Sequence, residues 1–161
     1  MLWLPYQQLI EVKIWADRSL CEAVDCNYRK LNERDLELMM QVLDHIHVVD
    51  CIFQHHLESK PHNFRAPRSE KMPDLAALTD GMRKVGDWYG GYVSSLDPEE
   101  FEEPLEFVFT SGRPARMTRA QILLHVCLHG SYHRGNAGAL LQLKGLVPGR
   151  DGITDYLEIA A

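Results

Sequence analysis

The chain has no CxxC pair, no run of apolar residues long enough for a membrane, and fewer basic than acidic residues. Cys21, Cys26, Cys51 and Cys127 are scattered, so neither a zinc ribbon nor a dithiol redox motif is present. Near the N-terminus Gln7, Gln8, Glu11 and Lys13 interrupt the apolar residues, which excludes a signal-peptide reading and makes a reducing cytoplasm the expected setting. The uncharged run 120–133 carries three histidines and falls short of the 18 or so residues a span needs, so no transmembrane segment is expected. Lys and Arg number 17 against 23 Asp and Glu, a formal charge of −6 that repels a polyanion, and nucleic acid is not an expected partner. Gly and Pro, at 11 and 8, are at ordinary usage, which excludes collagenous and low-complexity chains.

What remains is a 161-residue chain, 45% apolar, of the usual size for one domain, and a single domain over 1–161 is expected. Leu9, Val12, Ile14, Trp15 and Leu20 recur at helical spacing and predict an amphipathic first helix over about 5–23. Asn32 followed by Glu33 and Asp35 reads as an N-cap with acidic residues against the positive end of a helix dipole. The second helix then runs to about Ser59 with apolar residues on most of its circumference, a face that leaves room for a partner, and a homodimer is expected. Pro61, Pro67 and Pro73 interrupt a basic stretch over 60–73 that predicts a surface loop. A third helix follows over about 74–96.

Residues 107–110 and 113–117, flanking Ser111-Gly112, predict a short hairpin. Thr118 and Gln121 have capping-box spacing, and the fourth helix they open reaches about Lys144, where Gly145 stops it. The remainder, 151–161, is expected to form a terminal turn or strap. The fold class is therefore all-α: a four-helix bundle with a short β-hairpin insertion before the last long helix.

His125, His129 and His133 follow one another at four-residue intervals on that last helix. Residues four apart share a face with Cβ atoms about 5–6 Å apart, so two of these imidazoles can converge on one ion. The pair is either His125 with His129 or His129 with His133, on a face that also carries Ile122, Val126 and Ala137 and would place the ion inside the bundle. A third ligand should come from another helix, and periodicity leaves His45 and His47 both open. Asp50 could pair with His47 or with an arginine such as Arg18. His55, His56 and His62 read as solvated surface, and Cys127, turned away from the flanking histidines, as a buried apolar thiol. Gly130 follows His129 where a HExxH metalloprotease needs Glu, and the chain has no Glu-x-x-His, which removes the carboxylate-bridged di-iron site of other bundles.

Trp15-Ala16-Asp17-Arg18, Leu43-Asp44-His45 with Val49-Asp50, the Thr118-Arg-Ala-Gln121 helix start and His129-Gly-Ser-Tyr-His133-Arg134-Gly135-Asn136 together resemble the DinB family. The resemblance implies a four-helix bundle holding one divalent ion, nickel or zinc, on His45, His129 and His133. Leu128 and Asn136 stand where that family often has Asn and Gln. Three neutral imidazoles would leave an open position, as in catalytic sites. Family members include thiol S-transferases that use a low-molecular-weight thiol, metal-dependent hydrolases, and damage-inducible stress proteins without shown catalysis. The first is the expectation here, with a small-molecule substrate and Arg134 as a candidate anchor for an anionic thiol; a salt bridge is the alternative for Arg134. The basic loop 60–71 and the group Arg113, Arg116 and Arg119 are candidates for guiding an anionic substrate.

Overall fold

A computed structural model describes residues 4–160. Its four long helices are α1 (Leu4–Asn27), α2 (Glu33–Leu57), α3 (Leu75–Ser95) and α4 (Arg119–Leu143), with a short α5 (Ile153–Ala160) at the end. Between α3 and α4 lies an antiparallel hairpin of β1 (Pro104–Val108) and β2 (Pro114–Thr118), in register from Pro104 opposite Thr118 to Val108 opposite Pro114. No helix among the described residues is long and apolar enough to cross a membrane.

The helix starts are set by side chains that accept otherwise orphaned backbone N–H groups. Asn32 accepts from the Asp35 N–H at 2.9 Å and Asp74 from the Ala77 N–H at 2.7 Å. At α4 the box is reciprocal: the Gln121 N–H donates to Thr118 Oγ1 at 3.2 Å, and the Thr118 N–H donates to Gln121 Oε1 at 2.9 Å. Gly145, at φ 71°, turns the chain out of α4.

α1 and α2 each pack against both α3 and α4, so α1 faces α2 across the diagonal of the bundle. The core divides into two apolar groups along the axis. Ile10, Phe53, Tyr89 and Leu123 belong to the one next to the hairpin, and Leu20, Met39, Leu43, Leu78 and Leu141 to the other. Lys13 and Asp17 of α1, Asp50 of α2 and Arg134 of α4 meet as buried charges in the same interior.

Two expectations are corrected. The first strand lies at 104–108 rather than 107–110, because the alternation of Leu105 and Phe107 inward with Glu106 outward governs the pairing, and Phe109 belongs to the turn, donating its N–H to Arg113 at 2.9 Å. The terminal strap is a two-turn helix, held on α1 by Tyr156, whose ring meets Trp15 edge-on at 5.8 Å. The second helix is mostly buried, as its apolar circumference predicts, and Leu38 is its one large apolar side chain that stands exposed.

Candidate metal centre

His45 comes from α2, and His129 and His133 from successive turns of α4. Each offers a ring nitrogen within 4.8 Å of the others, and the ring centroids are 4.4 to 4.8 Å apart. His45 donates its Nδ1–H to the Pro67 carbonyl at 2.7 Å, since a carbonyl can only accept. That fixes the tautomer and leaves Nε2 as a bare lone pair aimed at His129 Nε2, 3.0 Å away.

His129 Nδ1 is enclosed with no partner. If His129 carries its proton on Nε2, Nδ1 is a buried lone pair without a donor; if on Nδ1, two lone pairs face each other. A cation between the two Nε2 atoms removes the lone-pair clash of the second arrangement, in which the Nδ1–H stays a buried donor without an acceptor. Two nitrogens bound at about 2.0–2.1 Å to one tetrahedral ion stand about 3.3 Å apart, close to the spacing found here.

Burial pushes the His129 imidazole down to about 3, helped by His133, His45, His125 and the Lys13 ammonium. Burial lowers His133 as well, with His45 adding to it. Both rings are thus held neutral, the form that binds a metal. The three ligands are half-buried, so the site lies at the rim of the bundle beneath the 60–73 loop rather than inside it. Asp44 carries that loop, accepting from the Ser69 N–H at 2.8 Å and the Ser69 hydroxyl at 2.6 Å.

Of the two pairs open in the sequence, 129 with 133 joins His45. His125 is displaced toward Phe53, with ring centroids 4.6 Å apart. His47 points to α3, where a Cβ on Gly81 would come within 2.7 Å of its Nε2; that nitrogen lies 3.4 Å from Cys51 Sγ. Cys127 is buried in the apolar core, and burial pushes its thiol up to about 12. His56, expected at the surface, stacks on Phe107 at 4.1 Å and is buried.

Beside the histidines lies a buried charge network that the sequence did not disclose. Lys13, 2% exposed, donates to Asp17 and Asp50 at 2.6 Å each. Arg134 donates to Asp17 at 2.8 Å and, through Nε and Nη2, to Asp151 at 2.6 and 3.0 Å. Gly130 makes room for it, since a Cβ there would stand 2.8 Å from Arg134 Nη1. Burial outweighs Lys13 at Asp50 and raises its carboxyl to about 6, whereas Lys13 and Arg134 outweigh burial at Asp17 and lower it.

Arg134 is therefore spent on carboxylates and is not available as a thiol anchor. Asp50 pairs with Lys13, and Arg18 with Asp87 at 2.6 Å. Of the arginine group at the hairpin, Arg119 donates to Glu103, the Leu57 carbonyl and the Tyr92 hydroxyl, Arg116 lies 3.8 Å from Glu106, and Arg113 lies over the Phe109 ring at 4.9 Å.

The profile of the DinB family matches residues 15–161. The chain belongs to the DinB family. It is 21% identical to Protein DinB of Bacillus subtilis (strain 168) over 159 residues, covering 92% of this chain and 90% of that one. A crystal structure of a DinB-like protein from Bacillus cereus superposes with a TM-score of 0.60 at 20% identity, covering 90% of this chain and 95% of the other. The DinB fold and a three-histidine cluster compatible with metal binding thus occur together in this chain.

Proposed function

We propose that this DinB-family protein holds one divalent ion, nickel or zinc, on His45, His129 and His133 and acts as a metal-dependent enzyme of thiol S-transferase type. The observation that carries the reading is the pair of Nε2 atoms 3.0 Å apart with the His45 proton already committed to Pro67. An ion on three neutral imidazoles keeps its full charge and an open position, and so favours the ionised form of a thiol or water there near neutral pH.

The chain's own residues orient rather than transfer protons. Pro67 fixes the His45 ring, and the i, i+4 spacing fixes His129 against His133. Asp44, the carboxylate adjacent to His45 in sequence, is engaged by both donors of Ser69, which leaves it no role as a base. Without a carboxylate base, a thiol suits the site better than water, because its ordinary pKa of about 8.5 needs far less lowering than the 15.7 of water. Leu128 and Tyr132 flank the ligands on α4, 67% and 69% exposed, and offer an apolar surface to an uncharged electrophile.

The test is turnover by purified, metal-loaded protein with a small thiol and an electrophile such as monochlorobimane. Conjugation that His129→Ala abolishes supports the enzyme. Ester or amide hydrolysis without thiol would make it a hydrolase, and no turnover with several thiols would make it a metal-binding stress protein.

A further inference from the structure

Three histidines outside the metal centre meet where α2 ends. Ser59 follows the helix at φ 54°, a conformation usually left to glycine, and the Lys60 N–H donates to the His55 carbonyl at 2.9 Å. The chain doubles back and brings the His62 ring to 5.2 Å from that of His56 and 6.0 Å from that of His55. Phe107 of β1 stacks on His56 at 4.1 Å and leaves it 8% exposed. A cavity of about 410 Å³ lies between this turn and the hairpin, with His56, Pro61, His62 and Phe107 in its wall.

His56 Nε2 and His62 Nδ1 are both enclosed, and neither has a hydrogen-bond partner among the described residues. A neutral imidazole carries one N–H and one lone pair, so each atom is either a donor without an acceptor or a lone pair without a donor. Protonation does not relieve them: burial, with His62 and His55 adding to it, pushes His56 down to about 4, and burial lowers His62 as well. Both rings are held in the neutral form that ligates. One ion between the two nitrogens satisfies both, with each ring's proton on its other nitrogen. The separation allows it, since His45 and His129, whose Nε2 atoms are 3.0 Å apart, have centroids only slightly closer, at 4.8 Å. His55 donates its Nδ1–H to the Cys51 carbonyl at 2.7 Å and stays outside, because among the described residues only His45, His129 and His133 bring three such atoms within 4.8 Å. At the rim, Lys60 lies 3.2 Å from Glu58 and Glu106 lies 3.8 Å from Arg116, which leaves the enclosed nitrogens as the unanswered groups.

We propose that His56 Nε2 and His62 Nδ1 hold a second divalent ion of the kind imidazole takes, copper(II) most tightly and nickel or zinc less so, with water in its remaining positions. At a rise of about 1.5 Å per residue His45 and His56 are about 16 Å apart along α2, so the two ions are separate and not a bridged pair. The ion would clip the start of the 60–73 loop to the end of α2, while Pro67 and Ser69 tie the loop's middle to His45 and Asp44. This site stands apart from the thiol reading and from the three-histidine centre.

The test is equilibrium dialysis against buffered free zinc, because two protein ligands hold an ion more weakly than three and washing would strip it. The wild type is expected to take up a second ion that His62→Ala loses. In the double variant His45→Ala with His129→Ala, which lacks the first centre, a single ion should remain, and adding His62→Ala should abolish it. His62 is only half-buried, so its variant is expected to fold, and melting with its parent in the presence of chelator checks this. Copper(II) bound to the double variant should show splitting from two imidazole nitrogens in its electron paramagnetic resonance spectrum. No uptake by the double variant, uptake that survives the loss of His62, or a copper spectrum without imidazole nitrogen would overturn the proposal. Each of these holds whether or not the first centre binds metal.

Discussion

Replacing Lys13 by methionine keeps most of the side-chain volume and removes the cation that two buried aspartates share. The ammonium is 2.6 Å from both Asp17 and Asp50, and all three side chains are nearly inaccessible to water. Breaking a buried pair by deleting one partner costs about 3–5 kcal/mol. Asp17 retains Arg134, and Asp50 can escape its charge by taking up a proton, so the lower end, about 3 kcal/mol at pH 7, is expected. The pH dependence follows from Asp50. A carboxyl whose folded pKa is raised contributes stability that is full below its unfolded value of about 3.9 and lost as the pH rises. In the wild type that loss runs through about 6. Without Lys13 the carboxyl loses the cation that holds it down and its pKa rises further, so acidification from pH 7 to pH 5 stabilises the variant more than the wild type. The destabilisation should therefore shrink between pH 7 and pH 5. Urea unfolding of both proteins at the two pH values reads it. A loss under about 1 kcal/mol at pH 7, or the same loss at both, would refute the reasoning.

Three further outcomes are expected. Asp44→Ala releases Ser69 and with it the Pro67 carbonyl, so competition with a chromophoric chelator should show zinc affinity about tenfold weaker; unchanged affinity would remove the loop from the site. Gly81→Ala places a methyl 2.7 Å from His47 Nε2, and unfolding should show a loss of about 1–3 kcal/mol as α2 and α3 separate to admit it. Thr118→Ala breaks the reciprocal box that opens α4 and should cost about 1 kcal/mol; a neutral effect would mean that the hairpin alone sets the helix start.

The helices were legible because their signals are local. Apolar periodicity, the Asn32 cap, the Thr118 and Gln121 box and Gly145 each act within one or two turns of themselves. The hairpin was found but slipped, since the apolar run 107–109 hides the alternation that sets the register. The histidines of α4 could be narrowed to two pairs, but the choice of the third ligand needed the family resemblance. His45 and His47 are two residues apart, about 200° around the helix, and which of them meets α4 depends on how α2 is rotated in the bundle. Lys13 and Asp17 read as the polar face of an amphipathic helix, and their burial becomes evident only when α2 and α4 bring Asp50 and Arg134 against them. His56 gave no sign of its cover, because that cover is Phe107, from a hairpin a third of the chain away.

Elemental analysis of protein purified without a histidine tag, for the wild type beside His45→Ala, His129→Ala and His47→Ala, bears most directly on the three-histidine centre. About one nickel or zinc ion per chain is expected in the wild type and in His47→Ala, and none in the other two. No metal in the wild type, even after incubation with an excess and gentle washing, or metal retained without His45 and without His129, would contradict the site.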